Sequence, residues 1–127
     1  MKANELRIGN LVMYDNYNLS VIHGLTDSEY GHGVGIHYGN CCVGCSEELI
    51  QPIPLTENWL FKFKFKKDND IEFHIHSNNN HLIYIYFEKM RNCYAMIYNG
   101  SQFTEVKYVH QLQNLYFAIT GQELAIA

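Results

Sequence analysis

The clearest pattern of hydrophobic and polar positions lies in the middle of the chain. In IEFHIH, residues 71–76, every second position is apolar, so the apolar side chains would occupy one face of a strand. Three further stretches with strand character follow, HLIYIYFEKM, CYAMIYNG and FTEVKYV, with turn residues at 78–80, 91–92 and 99–100. The pattern predicts an antiparallel meander with one buried face and one solvent face.

Two helices are predicted on either side of this meander. Thr56 and Glu57 are typical of a helix start, although the alternation in FKFKFKK favours a strand over part of the same segment. We expect a short helix that passes into a strand near Phe65, with Trp59 and Phe63 facing inward. Near the C-terminus, VHQLQNLYFAITG has apolar positions at three-to-four spacing and ends in glycine. A helix with this apolar stripe should cover the buried face of the meander.

The N-terminal part carries shorter strands. Four stretches, ELRIGNLVMY, LSVIHGL, VGIHY and LIQPIPL, have strand character and are separated by turn residues. They predict a small curled sheet or an SH3-like barrel. Its expected core comprises Leu6, Ile8, Leu11, Val12, Val21, Ile22, Val34 and Ile36. The chain as a whole is predicted to be an α+β protein, with a β-barrel-like part at 1–55 and the helix, meander and C-terminal helix at 56–127, joined in one compact unit.

Composition and charge exclude several classes of protein. With 127 residues, of which 47% are hydrophobic, the chain suits one domain and is too apolar to be disordered. The net charge of -4 provides no global attraction to nucleic acid or to anionic lipid. No apolar run approaches the ~20 residues of a membrane-spanning helix, and the start does not resemble a signal peptide, so we expect a cytoplasmic protein without membrane contact.

Motifs of common enzymes are missing from the sequence. It contains no G-x-S-x-G and no Walker A motif. The glycine-rich stretch GHGVG at 31–35 is not a dinucleotide-binding motif, because no helix pattern follows it. We therefore expect no cofactor and favour a protein without enzymatic activity.

The stretch HYGNCCVGCSEE, residues 37–48, holds three of the four cysteines. Cys42 and Cys45 have the spacing of half a zinc site, which His37 or His32 could extend, but no second ligand pair follows. A redox interpretation lacks the expected helix start in a βαβ unit, and disulfides are not favoured in a protein without an export signal. We interpret the stretch as a loop of small residues between two strands.

His74 and His76 form an H-x-H pair that would project from one face of the predicted strand. Two imidazoles placed in this way could chelate one metal ion, with Glu72 or His81 close by. A metal-binding domain or metal-dependent enzyme built on this pair is the alternative function. Histidines are also common on the solvent face of a sheet, and the favoured interpretation assigns no metal site.

Aromatic and basic residues raise a further possibility. KFKFKK and FEKMR could form a surface for single-stranded nucleic acid, on whose exposed rings bases would stack. The Phe positions are spaced for burial, so Tyr84 and Tyr86 are the better candidates for stacking. The competing interpretation is a tyrosine-rich sheet packed under the C-terminal helix.

The predicted C-terminal helix also has a polar side, formed by His110, Gln111, Gln113 and Asn114. Such a face could bind a partner, or it could form hydrogen bonds with neighbouring loops. These four residues, together with the two tyrosines, are the candidate binding residues.

Three stretches, ANELRIGN, PIPLTENWLFKF and VKYVHQLQNLYFAITGQEL, resemble a group of small uncharacterised proteins of Bacteroides-type gut bacteria and their phages or prophages. The shared pattern is similar to L-R-I-G-N, then I-P-L-T-E-x-W-L, then Y-V-H-Q-L-Q-N-L-Y, and it spans nearly the whole chain. The resemblance implies a whole-chain family carried on mobile DNA, and it transfers no catalytic role. We therefore expect an accessory or adaptor protein that binds a protein or nucleic acid.

Overall fold

The computed structural model describes residues 1, 5–15, 18–28, 31–38, 41–76, 84–91, 93–98, 101–124 and 126. Within it the chain divides into two compact units, Met1–Ile53 and Pro54–Ala127. Strands dominate both units, and the predicted α+β class is confirmed.

The first unit is a curled five-stranded antiparallel sheet. Its strands are β1 (Leu11–Tyr14), β2 (Asn18–Ser28), β3 (Gly31–Tyr38), β4 (Cys41–Ser46) and β5 (Ile50–Gln51). They lie in the order β4-β3-β2-β1-β5, and a 3-10 turn at Glu47–Leu49 leads into β5. The sheet is a curled half-barrel, which confirms the predicted curled sheet. The core of the sheet comprises Leu6, Val12, Ile22, Val34, Ile36 and Ile50.

A tight turn before β1 explains the Gly9-Asn10 pair. Gly9 has a φ of 97°, which glycine adopts without steric cost, and its N–H donates to Ile22 O at 2.8 Å. The buried Asn10 side chain accepts from the N–H of Arg7 at 2.7 Å. The turn exposes Ile8, which is 59% accessible, so its predicted place in the core is wrong.

Val21 was also predicted in the core and is exposed instead. It follows the buried Ser20 and precedes the buried Ile22 on β2, and alternate residues of a strand point to opposite faces. The two adjacent β-branched residues in LSVIHGL, Val21 and Ile22, obscure this alternation in the sequence.

The predicted loop at 37–48 is wrong as well. Residues 41–46 form β4, which pairs with β3 in continuous register from Tyr38↔Cys41 to Gly33↔Ser46. Val43 and Cys45 pack against the core of the unit, so every second residue contributes to burial. Two residues separate β3 from β4, which is a typical loop length for a β-hairpin.

The second unit is a helix–meander–helix arrangement. Its elements are α1 (Glu57–Lys62), β6 (Lys66–Lys67), β7 (Glu72–His76), β8 (Tyr84–Lys89), β9 (Tyr94–Tyr98), β10 (Ser101–Val106) and α2 (Val109–Thr120). The strands lie in the order β10-β9-β8-β7-β6 and all pair antiparallel, which confirms the predicted meander. Phe73 and Ile75 are buried as predicted, whereas Ile71 lies before β7 and is exposed. The predicted turn at 78–80 lies outside the described residues.

The junction of α1 and β6 decides between the two patterns seen in FKFKFKK. The helix ends in a left-handed residue, Lys64, with a φ of 69°. The N–H of Lys64 donates to Phe61 O and that of Phe65 to Leu60 O, both at 3.0 Å, which is the Schellman pattern of a helix end. The reversal keeps both Phe63 and Phe65 buried, so the predicted helix that passes into a strand is confirmed.

Side-chain and backbone contacts fix the start and end of α2. Gln111 Oε1 accepts from the N–H groups of Lys107 and Tyr108, at 2.9 and 3.2 Å. At the other end Gly121 has a φ of 73° and its N–H donates to Phe117 O. Of the predicted apolar stripe, Val109, Leu112 and Tyr116 are buried, and Ile119 is partly exposed. The predicted C-terminal helix with one apolar stripe is confirmed.

Candidate functional site

The polar residues predicted on α2 fall into two groups. His110 and Gln113 are only 2% and 3% exposed, so the expectation that they belong to a polar side open to a partner is wrong. The buried arc of α2 is wider than its apolar stripe and includes both positions. The His110 ring stacks on Tyr108, with ring centroids 5.9 Å apart and planes at 13°. The side chains of His110 and Gln113 therefore form part of the interior of the second unit.

Gln111 and Asn114 are partly exposed. The side-chain oxygen of Gln111 caps the start of α2, which gives it a structural task. A role of either residue in binding stays a prediction.

The aromatic surface predicted for nucleic acid does not assemble from the phenylalanines. Phe63 and Phe65 are buried, and Phe65 packs against Phe87 with ring centroids 5.6 Å apart. Phe61 is exposed on α1. Tyr84 and Tyr86 lie on β8, and their side chains are outside what the structure describes, so their role stays a prediction.

His74 has a well-defined partner. Its Nδ1 lies 2.7 Å from Asp68 Oδ2, across the short turn that leads into β7. His76 ends the same strand, but its side chain is outside the described part of the chain. Among the described residues, no group of three or more His, Cys, Asp or Glu side chains is arranged to hold a metal ion.

The two cysteines with described side chains, Cys45 and Cys93, have free thiols. Partial burial raises the pKa of Cys45, and at Cys93 burial and the nearby Glu105 carboxylate both raise the pKa. A raised pKa leaves less thiolate, the form that acts as a nucleophile or a redox centre. Neither thiol therefore has the environment of a reactive cysteine.

The second unit has a shallow, open cleft of about 270 Å³ between the start of α1 and the end of β8. Its walls come from the segment before α1, from the β8 end and from β9, and its lining includes Leu55, Thr56, Met90, Arg91, Cys93 and Tyr94. A volume of this size lies just below the range of about 300–1,000 Å³ that small-molecule sites occupy.

A bridged carboxylate lies at the edge of this cleft. Glu57 contacts Lys67 Nζ and Lys89 Nζ, each at 3.4 Å, and so ties α1 to β6 and β8. Desolvation alone would raise the pKa of Glu57, but the hydrogen bonds and charges of the two lysines outweigh it and lower the pKa. Glu57 is therefore held as an anion. Burial, followed by the charge of Glu57, raises the pKa of Tyr94, which stays a neutral phenol.

Three titratable side chains of the cleft, Glu57, Cys93 and Tyr94, are not tuned for proton transfer at neutral pH. A general base needs a pKa near the working pH, whereas the carboxyl pKa is lowered and the thiol and phenol pKa values are raised. For Glu57, Cys93 and Tyr94, the shift moves the pKa further from 7.

The first unit offers a different feature, the outer edge of β4. This strand is the last in its sheet, pairs with β3 on one side, and has the sequence CCVGCS, without charge or proline. The other edge strands carry protection: β5 and β6 are two residues long, and β10 has a register irregularity and carries Glu105. Charges, shortness and bulges are the devices that keep sheet edges from pairing. Of the four edge strands described, β4 alone lacks all of these devices.

No helix among the described residues is long and apolar enough to cross a membrane. In comparisons with known proteins, no family model, no curated protein and no solved structure matches this chain.

Proposed function

We propose that this protein is a non-enzymatic accessory or adaptor protein of the cytoplasm that binds an extended segment of a partner protein along β4. The observation that carries the proposal is the unprotected six-residue edge, Cys41–Ser46, of the curled sheet. Such an edge presents backbone N–H and C=O groups, and an added strand satisfies them by main-chain hydrogen bonds.

Charge favours a protein partner over nucleic acid. The net charge is -4, and Lys67 and Lys89 are both engaged by the Glu57 carboxylate. Phosphate binding requires cations that can replace counterions along a nucleic-acid backbone. Lys67 and Lys89 belong to the two basic stretches KFKFKK and FEKMR, and both already form ion pairs with Glu57.

The resemblance to proteins of Bacteroides-type bacteria and their prophages supports the accessory role. We propose that the partner of β4 is a protein of the host or of the mobile element.

The test is capture of partners with two matched lysine variants. An ideal Cβ added at Gly44 on β4 or at Gly24 on β2 meets no atom within 4 Å, so both positions accept a side chain. Gly44→Lys places a charge on the edge strand, whereas Gly24→Lys places one on an inner strand. We expect partners recovered from a Bacteroides lysate by the wild type and by Gly24→Lys to be lost with Gly44→Lys.

Amide hydrogen exchange locates the contact. With the captured partner bound, exchange should slow at residues 41–46, because an added strand protects an edge. Equal capture by Gly44→Lys and wild type, or unchanged exchange on β4, would overturn the proposal. Sedimentation without a partner provides a further check, since a dimer abolished by Gly44→Lys would identify a second copy as the occupant of the edge.

A second candidate function is metal binding through His74 and His76. The observation in its favour is the Asp68 carboxylate on Nδ1 of His74, because metal-ligating histidines commonly donate their other ring N–H to a carboxylate. Elemental analysis of untagged protein tests this candidate. Stoichiometric zinc that His74→Ala removes would support it, and metal-free folded protein that takes up no added zinc would exclude it.

A further inference from the structure

Two adjacent strands of the curled sheet, β2 and β3, carry a pair of histidines, His23 and His37. On β2, Ile22 pairs with Ile36 and Gly24 pairs with Gly35, so His23 is an extra residue where the register shifts. An extra residue of this kind forms a β-bulge, which re-aims its side chain relative to a regular strand. His37 lies two residues beyond Gly35 on β3, and both imidazoles are exposed.

The backbone is shaped to accommodate the His23 ring. A Cβ added at Gly35 would lie 2.9 Å from Cε1 and 3.0 Å from Nε2 of His23, so any larger residue would displace the imidazole. Gly35 also pairs with Gly44 on the next strand, which continues a row of glycines from Gly24 across three strands. The His23 ring therefore lies above a glycine and beside His37.

The two imidazoles are in direct contact, with ring centroids 4.4 Å apart and planes inclined at 53°. Metal–nitrogen bonds are about 2.0–2.1 Å long, so two imidazoles on neighbouring coordination positions of one ion have centroids roughly 4.5–5 Å apart. The observed separation is close to this value.

We infer that His23 and His37 bind one divalent transition-metal ion. Imidazole nitrogen suits Cu²⁺, Zn²⁺ and Ni²⁺, and affinity for such a site is expected to be highest for Cu²⁺. Among the residues whose side chains the structure describes, no third ligand joins this pair. The ligands differ from those of the second candidate function, His74 and His76, and metal binding here does not depend on the proposed docking along β4.

The test is titration of the untagged full-length protein with Cu²⁺ and with Zn²⁺ at neutral pH, followed by calorimetry and by imidazole NMR signals for Zn²⁺. His23→Asn and His37→Asn should each weaken binding by about tenfold or more, and the double variant should add little, since both ligands serve one ion. Leu25→Asn, at an exposed position on the same strand as His23, is the matched control and should leave the affinity unchanged. Far-UV circular dichroism confirms folding of each variant, which is expected because both side chains are exposed.

A second pair of variants tests the geometry without removing a ligand. Gly35→Ala should displace the His23 ring and weaken binding by about tenfold, as changes in supporting groups commonly do. Gly44→Ala, in the same glycine row but with open space at its Cβ, should bind as the wild type does. Wild-type affinity in both His23→Asn and His37→Asn would overturn the inference, as would binding lost in His74→Asn alone.

Discussion

Lys64 explains how a helix pattern and a strand pattern can both occur in FKFKFKK. It adopts a φ of 69°, a left-handed conformation that costs a residue with a Cβ about 1 kcal/mol or more. The strain is maintained because it allows Phe63 and Phe65, the residues before and after Lys64, both to be buried. Neither hydrophobic period alone could reveal this reversal.

We expect Lys64→Gly to stabilise the protein by up to about 1 kcal/mol, because glycine adopts positive φ without the steric cost. Urea unfolding followed by circular dichroism measures the change. Lys62→Gly is the control: it lies within α1, where glycine should destabilise by about 1 kcal/mol. Destabilisation by both variants to the same extent would contradict the role given to Lys64.

Glu57 is the residue from which we expect a pH effect. Its pKa is lowered in the folded state, so its ionisation stabilises the fold above the unfolded pKa, near 4.5, and this contribution is lost as the pH falls through the folded pKa. Wild type should exceed Glu57→Gln in stability at neutral pH, and the difference should shrink in acid. Thermal unfolding at a series of pH values measures it. Glu48→Gln, which replaces an exposed carboxylate in the 3-10 turn, should show a smaller difference.

At the scale of elements, the strength of a sequence pattern determined how well it could be interpreted. The meander and α2 were predictable because their alternation and three-to-four spacing are strong and their ends carry turn or glycine residues. β4 was missed because Cys and Gly resemble loop residues, and only its pairing with β3 reveals the alternation of Val43 and Cys45 toward the core. The buried positions of His110 and Gln113 were missed because polarity predicts exposure, whereas helix geometry places them in the buried arc.

The aromatic residues of α1 offer a test at this scale. Phe63 is 1% exposed and Phe61 is 46% exposed, although the two are alike in type and only two positions apart. We expect Phe63→Ala to destabilise by about 3–5 kcal/mol, the usual cost of emptying a buried aromatic site. Phe61→Ala should cost about 1 kcal/mol or less, because surface substitutions have small effects. Comparable losses in denaturant unfolding would show that α1 packs differently.

At the scale of the whole molecule, the fold class was predictable and the candidate sites were not. The histidine pair arises from a register shift on β2, and the edge of β4 arises from the order of strands, which are both properties of pairing rather than of local sequence. The H-x-H pair at 74 and 76 can be recognised as a candidate metal site from the sequence, because its two histidines are only two positions apart. His23 and His37 are fourteen positions apart and share no motif.

Net charge gives a prediction for the whole chain. We expect single-stranded oligonucleotides to bind weakly, without the steep loss of affinity on added salt that phosphate contacts produce. Fluorescence anisotropy at low and moderate salt measures this. Tight binding that weakens steeply as salt rises would favour nucleic acid over a protein partner.

The row Gly24–Gly35–Gly44 has a consequence for substitutions in the first unit. Three neighbouring strands lack a Cβ along this line, and glycine often marks a place where another group approaches the backbone closely. At Gly35 the space is taken by the His23 ring, whereas Gly24 and Gly44 have open space where a Cβ would lie. The same change of residue type therefore has different consequences at the three positions: two accept a side chain, and at the third a side chain competes with a ring from the adjacent strand.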